Sequence, residues 1–161
     1  MRMSVAFTRE EDSESAAADL PDRPISPHPN LVTPEGLALI EAALAEARAA
    51  YSAAQTGGDV KSDRTAMARA TRDLRYWSAR RATAQLVEPP ARPEHVAFGV
   101  TVTLEREDGR AQSFRIVGED EADPAKGSVS YISPLAAALM GREIGDVATV
   151  AGREVEVTGL A

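Results

Sequence analysis

Cysteine is absent from the 161-residue sequence, histidine occurs only twice, and 4% of the residues are aromatic. The lack of cysteine excludes disulfides and thiolate metal sites. His28 and His95 lie in Pro-rich stretches without a paired nucleophile or a third ligand, which leaves zinc sites and catalytic triads with little support. No apolar run approaches the roughly eighteen residues of a membrane span, and the acidic N-terminus is unlike a signal peptide. We expect a cytoplasmic protein with no membrane partner.

Basic residues are also in the minority, with 18 Lys and Arg against 25 Asp and Glu and a net charge of −7. This balance argues against a free-standing DNA-binding protein, which needs a basic surface. Basic and acidic side chains number 3 and 6 in residues 1–32, 9 and 8 in 33–94, and 6 and 11 in 95–161. From charge and pattern we predict a disordered acidic, Pro-rich tail over 1–32, a helical hairpin over 33–88, a linker over 89–95 and a C-terminal domain over 96–161.

A helix is predicted to begin at Thr33, Pro34 and Glu35, which suit the N-cap, the first helical position and the positive end of the helix dipole. Two heptad seams follow on either side of the loop TGGDVKSD: Leu37, Ile40, Leu44, Ala47, Tyr51, Ala54, and then Met67, Ala70, Leu74, Trp77, Arg81, Ala84. Two seams joined by a short Gly-rich loop predict an antiparallel helical hairpin, in which each stripe buries the other.

The pattern changes to strand-like alternation after residue 95. HVAFGVTVTLE and AQSFRIVGE flank a turn at Asp108-Gly109, GSVSYIS resembles a third strand, and DVATVAGREVEVTGL reads as two strands around Ala151-Gly152. Ser133 is placed to cap a short helix with Pro134 at its first position and Gly141 after its end. This segment predicts a small antiparallel sheet with one short helix, so the fold class is α+β.

The stretch IVGEDEADPAKGSVSYISPLAAALMGREIGD closely resembles the C-terminal domain of the bacterial Gre transcript-cleavage factors, the GreA/GreB family. The residues in the family's order are Gly118, Asp120, Glu121, Ser133-Pro134, Ala136, Leu139, Gly141 and Gly145-Asp146. TPEG followed by a hairpin is similar to the family's N-terminal domain. The resemblance covers roughly residues 31–161 and implies an FKBP-like C-terminal domain after a coiled-coil hairpin.

This resemblance implies an accessory transcription elongation factor, a monomer that is not itself an enzyme. Its C-terminal domain would dock at the rim of the RNA polymerase secondary channel, and its hairpin would enter the channel and meet the nascent RNA 3′ end. In the family, two acidic residues at the hairpin tip help hold Mg²⁺ at the polymerase active site, where the backtracked transcript is hydrolysed. Hard cations prefer carboxylate oxygens, and two metals clamp the attacking and leaving oxygens. No cofactor is intrinsic to the factor.

The hairpin tip departs from the family pattern Gly-Asp-x-Ser-Glu-Asn. Gly58-Asp59 matches its start, but the second acid's position holds Ser62, with Asp63 one residue later. The hairpin is also shorter than in well-known members, which would retract the tip by about 10 Å. Asp59 and Asp63 are the candidate catalytic carboxylates, in an accessory metal-holding role. The alternative makes Asp59 a turn residue and Ser62 or Asp63 the cap of the next helix.

Other candidate contacts lie on the second helix and in the C-terminal domain. The second helix carries Arg64, Arg69, Arg72, Arg75, Arg80 and Arg81. By resemblance to the family's basic patch, Arg72 and Arg75 are RNA-binding candidates, and the alternative is a solvated face with Arg81 snorkelling from the seam. Polymerase binding is assigned by resemblance to Asp120, Glu121, Ser133 and Pro134, of which the alternatives are a solvated acidic turn and a plain helix start.

Three functional hypotheses follow. The first is a Gre-type factor that binds RNA polymerase, promotes cleavage of backtracked transcripts and relieves arrest. The second is a Gre-like regulator that occupies the same channel without cleavage. The third is an independent prolyl isomerase, which the few aromatic residues of the C-terminal domain, Phe98, Phe114 and Tyr131, make a poor fit.

Overall fold

The computed structural model describes residues 20–57 and 60–161, apart from the side chains of residues 60–63. Its helices are α1 (Pro34–Gln55), α2 (Val60–Thr83) and α3 (Pro134–Leu139), and a 3-10 turn spans Pro124–Lys126. Its strands are β1 (Leu31–Val32), β2 (Gln85–Leu86), β3 (Thr101–Arg106), β4 (Ala111–Val117), β5 (Ser128–Ser130), β6 (Val147–Val150) and β7 (Arg153–Leu160). None of the helices in this described part is long and apolar enough to cross a membrane.

Internal contacts group these elements into two compact units. The helical unit contains residues 40–83 and the described residues up to His28, and the sheet unit contains residues 29–39 and 84–161. The first turn of α1 therefore belongs to the sheet unit. The domain boundaries predicted from the sequence, at residues 33, 89 and 96, rest on changes in sequence pattern, and they stay a prediction.

The predicted helical hairpin is present in the helical unit. Its first seam is buried as expected, because Ile40, Leu44 and Ala47 are at most 6% exposed. An ion pair of 3.0 Å between Arg81 Nε and Glu41 Oε1 joins the end of α2 to the beginning of α1, as antiparallel packing requires.

In the second seam the buried arginine is Arg80, whereas Arg81 was predicted from the sequence to lie there. Arg80 is 2% exposed, whereas the Arg81 side chain is 46% exposed in its surface ion pair. An α-helix has 3.6 residues per turn, so the next seam residue after Trp77 lies three or four positions on. The structure uses the three-residue step, and the assignment of Arg81 to the seam is wrong.

The sheet unit confirms the α+β class. Its five-stranded sheet has the order β5-β4-β3-β7-β6, with antiparallel pairing of β3 to β4, β3 to β7 and β6 to β7. The expectation of an entirely antiparallel sheet needs one correction, since β5 pairs with β4 in parallel. The connection from β4 to β5 runs through residues 119–123, which we call the acidic segment, and then through the 3-10 turn. It brings the chain back before β5 begins, so both strands run in one direction.

The core of the sheet unit lies between one face of the sheet and α3. Val102 and Leu104 alternate with more exposed neighbours on β3, as expected for a strand with one buried face. The buried cluster consists of Val96, Val102, Leu104, Ile116, Val129, Ala136, Leu139, Ala148, Val155 and Val157. Both predicted hairpin turns are present, and Ala151 and Gly152 both have positive φ, at 51° and 77°, as a type I′ turn requires.

The segment before α1 includes part of the predicted tail. Residues 1–19 lie outside the described residues. Leu31 and Val32, which the sequence analysis assigned to the tail, form β1 and pair in parallel with β2. The backbone N–H groups of Gln85 and Val87 donate to the carbonyls of Asn30 and Val32 at 2.8 and 2.9 Å. The last residues of the predicted tail therefore belong to the sheet unit.

Candidate functional site

The hairpin tip is only partly described. Asp59 lies outside the described residues, and of Asp63 only the backbone is described. Because α2 begins at Val60, Ser62 and Asp63 lie within its first turn, and the expectation that one of them is the N-cap is wrong. An acid in the first turn suits the helix dipole. The metal-holding role of Asp59 and Asp63 stays a prediction.

An open groove of about 860 Å³ lies on the helical unit, near the end of α1. Its lining residues are Leu20, Asp22, Ala54, Gln55, Arg64, Met67, Ala68, Thr71, Arg72 and Arg75. Three of the arginines noted in the sequence therefore share one groove, while Arg80 is buried and Arg81 pairs with Glu41. The groove combines apolar walls with guanidinium groups, which suits a ligand that carries phosphates.

The two RNA-binding candidates in this groove both contact carboxylates. Arg75 Nη1 donates to Asp22 Oδ1 at 3.1 Å, with both side chains more than 60% exposed. Arg72 Nε lies 3.8 Å from Asp73 Oδ1, which is too long for a hydrogen bond. The Nε of Arg72 is buried and makes no hydrogen bond among the described residues. Arg75 is therefore hydrogen-bonded to a carboxylate, whereas Arg72 is only in a loose ion pair with its neighbour Asp73.

The acidic segment of the sheet unit lies against the first turn of α1. Thr33 is completely buried; its hydroxyl oxygen accepts a hydrogen bond from the Gly36 N–H at 3.0 Å and confirms the predicted N-cap. The same hydroxyl donates to Glu121 Oε2 at 2.6 Å. A Cβ on Gly36 would approach that oxygen to 2.7 Å, so the small residue of TPEG leaves room for the carboxylate.

A second link between α1 and the sheet joins Glu35 to Arg115 on β4. Arg115 Nη2 donates to Glu35 Oε2 at 3.2 Å, and Arg115 Nε donates to the carbonyl of Gly99 at 3.3 Å. A hydrogen bond from its own backbone N–H, followed by that from Arg115, holds the pKa of Glu35 below its ordinary value of 4.5. Glu35 is therefore ionised at neutral pH, as the N-terminus of a helix favours.

These contacts bear on the acidic residues assigned to polymerase binding. Glu121 uses one carboxylate oxygen within the chain, and Asp120 and Glu119 also have partners in the protein. The four acids Glu119, Asp120, Glu121 and Asp123 are all half-buried. Within the described ranges, no three His, Asp or Glu side chains converge closely enough to hold a metal. The segment is thus a structural connector, and its polymerase contact stays a prediction.

The Ser133-Pro134 corner forms the expected helix start. Ser133 Oγ accepts from the Ala136 N–H at 3.3 Å, and Pro134 is the first residue of α3. Exposed apolar side chains lie on both sides of α3 in sequence, with Ile132 36% and Met140 40% exposed. A helix corner bordered by exposed apolar groups is a surface that a protein partner can contact, and the role of Ser133 and Pro134 stays a prediction.

Three features of the site were not predicted from the sequence: the hydrogen bond between Thr33 and Glu121, the pairing of Arg115 with Glu35, and the burial of Arg80. Local pattern indicated the cap and the helix dipole, but not which distant side chain would meet them. The basic residue on alternating β4 was the one available signal for Arg115, because a cation beside the sheet core usually has an acidic partner.

The sheet unit is similar in sequence to known proteins. Residues 91–159 match the sequence model described as "Transcription elongation factor, GreA/GreB, C-term". Transcription elongation factor GreA of Desulfovibrio desulfuricans is 43% identical over 96 residues, which are 58% of each chain. GreB of Neisseria meningitidis serogroup B is 40% identical over 102 residues, 60% of this chain and 63% of the relative. The chain thus spans about three fifths of the length of these relatives.

Among solved structures, the GreA factor homolog 1 (Gfh1) protein of Thermus thermophilus is similar to 83% of this chain and 99% of its own, with a TM-score of 0.40 and 20% identity. The resemblance predicted from the sequence is confirmed over residues 91–159, which are similar to the C-terminal domain of GreA/GreB transcription elongation factors.

Proposed function

We propose that this protein is a Gre-type transcription elongation factor that binds RNA polymerase at the secondary channel. The observation that supports this function best is the match of residues 91–159 to the C-terminal domain of elongation factors, together with a helical hairpin earlier in the chain. The sheet unit would be the main docking element. Its candidate contacts are Asp120, Glu121, Ser133 and Pro134, of which Asp120 and Glu121 also have partners within the chain.

The hairpin would act inside the channel. Helices of 22 and 24 residues are about 33 and 36 Å long. A helical hairpin of this length would insert into the polymerase secondary channel. Arg72 and Arg75 would contact phosphates near the nascent RNA 3′ end, because both line the groove and their side chains are 32% and 66% exposed. The factor itself would remain an accessory, and hydrolysis would be performed by the polymerase.

The Mg²⁺ that cleavage requires would be shared with the polymerase. Two tip carboxylates, Asp59 and Asp63, offer oxygen ligands of the type that Mg²⁺ prefers, but a pair alone leaves most of its six positions to other groups. No group of three or more potential ligands is found in the described residues. The two aspartates would therefore position the ion only beside ligands from the polymerase, where the metal stabilises charge on the reacting phosphate.

A factor that occupies the channel without cleavage is the second candidate. The observation that favours it is the substitution of Ser62 at the position of the family's second acid. Such a protein would compete with cleavage factors for the channel instead of stimulating hydrolysis.

The deciding experiment uses polymerase stalled in a backtracked state, to which the purified protein is added while transcript length is followed on a gel. We expect shortened transcripts from the wild type, and loss of most of this activity in Asp59→Asn with polymerase binding retained. Asp63→Asn should impair cleavage too. Wild-type protein that produces no cleavage, yet blocks an added cleavage factor, would establish the second candidate. Absence of polymerase binding would contradict both.

A further inference from the structure

Residues 20–28 form what we call the N-terminal strap, because they group with the helical unit and contact α2 at several points. Asp22 pairs with Arg75 at 3.1 Å. The guanidinium of Arg23 stacks 3.9 Å from the ring centroid of Tyr76 and 5.3 Å from that of Trp77. Arg23 Nη1 also lies 3.6 Å from Asp73 Oδ1. Arg23 thus anchors the strap by cation–π stacking. Its neighbour Asp22 places a carboxylate in the groove lined by Arg64, Arg72 and Arg75, which we call the arginine groove.

The position of that carboxylate suggests its function. Leu20 and Asp22 form one side of the groove that Arg64, Arg72 and Arg75 line on α2. A carboxylate on an arginine fork occupies the geometry that a phosphate oxygen would otherwise take, because both anions accept from the same N–H donors. Asp22 therefore already occupies part of the site at which RNA phosphates are expected.

We propose that the N-terminal strap is an intramolecular competitor for RNA at the arginine groove, and that RNA binding displaces Asp22 from Arg75. This inference rests on the RNA contact in the proposed function and adds a regulatory element to it. The strap tunes the affinity and does not close the groove, since both side chains of the Asp22–Arg75 pair are more than 60% exposed. Exposed ion pairs are weak, so release of this one should strengthen RNA binding by about two- to fivefold.

Anisotropy of a labelled short single-stranded RNA tests the competition, with the full-length chain at low salt. Asp22→Asn should bind the RNA about two- to fivefold more tightly than wild type. The matched control is Asp108→Asn, which removes the same charge from an exposed Asp that pairs with Arg110 at 3.5 Å in the sheet unit. It should bind as wild type does, which separates local competition from the general effect of one negative charge fewer.

A second measurement follows the strap itself. Trp77 is the only tryptophan in the chain, so its fluorescence reports whether Arg23 stays stacked nearby. Because Arg23 anchors the strap, the Trp77 emission of the RNA-bound wild type should stay distinct from that of Arg23→Gln, and saturation with RNA should come at a lower RNA concentration in Asp22→Asn than in wild type.

The outcomes separate the two proposals. Equal RNA affinities of Asp22→Asn and Asp108→Asn would overturn the strap competition and leave the RNA contact standing. If neither wild type nor Asp22→Asn binds RNA, or if Arg72→Ala and Arg75→Ala leave binding unchanged, the RNA contact fails and the strap inference fails with it.

Discussion

The hydroxyl of Thr33 donates a 2.6 Å hydrogen bond to Glu121, a residue 88 positions further along the chain. Thr33 also accepts from the Gly36 N–H, so a single buried hydroxyl both caps α1 and binds the acidic segment of the sheet unit. The acidic segment lies within residues 91–159, which match the sequence model of the GreA/GreB C-terminal domain. One role of its Glu121 is therefore internal, since it holds the beginning of α1 against the sheet unit.

Replacement of Thr33 should show this double role. Thr33→Val should lower the free energy of unfolding by about 2–3 kcal/mol, because it removes a helix cap and leaves a half-buried carboxylate without its donor. Thr33→Ser keeps the hydroxyl, and its free energy of unfolding should fall by less than half as much. Chemical denaturation of the two variants and of wild type measures the effect. In Glu121→Gln the cost of Thr33→Val should shrink, and equal costs in both backgrounds would show that the two residues are not coupled.

The Glu35–Arg115 pair predicts a pH dependence of stability. The folded-state pKa of Glu35 is lowered, mainly by its own backbone N–H and then by Arg115. Its contribution is therefore complete above the unfolded-state value near 4.5 and is lost as the pH falls through the lower folded-state value. Because the Glu35 side chain is 64% exposed, we expect Glu35→Gln to cost less than about 1 kcal/mol at pH 7.

Urea denaturation of wild type and Glu35→Gln across the acidic range checks the sign. The difference between the two proteins should narrow below pH 4.5. A difference that is constant with pH, or that widens on acidification, would contradict the stabilising ion pair.

Gly118, which directly follows β4, should not tolerate a side chain. A Cβ at this position would overlap the carbonyl oxygen of Leu31 and approach the backbone of Val32. Backbone atoms of a strand cannot rotate away as a side chain does, so Gly118→Ala should destabilise the protein by about 1–3 kcal/mol. A thermal melt indistinguishable from that of wild type would show that β1 can move away without cost.

Local chemistry explains which features were predictable from sequence. Ser133 and Pro134 mark a helix start, and Asp108-Gly109 and Ala151-Gly152 mark turns, whatever the rest of the chain does. Alternation on β3 and the seam of α1 likewise indicated which faces are buried. The parallel pairing of β5 depends on the path of the preceding connection. The contact of Thr33 with Glu121 depends on two segments 88 residues apart, and no local pattern encodes either.

The candidate site was predictable only in composition. The arginines of α2 were evident as a group, but the sequence did not show that Asp22 pairs with Arg75, because a Pro-rich acidic segment carries no periodicity that indicates where it lies. The choice between Arg80 and Arg81 was equally hidden. Both are consistent with a helical repeat of 3.6 residues, and the burial of one depends on the facing helix.

The two adjacent arginines provide the last prediction. Arg80 is 2% exposed and has a partner in the protein, so Arg80→Ala removes the packing of its methylene stem and its interaction with that partner. We expect a loss of about 2–4 kcal/mol in the free energy of unfolding. Arg81→Ala removes the same atoms from the next position, but the Arg81 side chain is 46% exposed and pairs with Glu41 at the surface, so the cost should stay below about 1 kcal/mol.

Denaturation followed by Trp77 fluorescence reports on α2 directly, since Trp77 lies on that helix. The two substitutions change charge and helix propensity equally, which leaves burial as the difference between them. Equal losses of unfolding free energy would mean that α2 can rotate to exchange one arginine for the other. A larger loss for Arg81→Ala would show that Arg81, and not Arg80, is the seam residue.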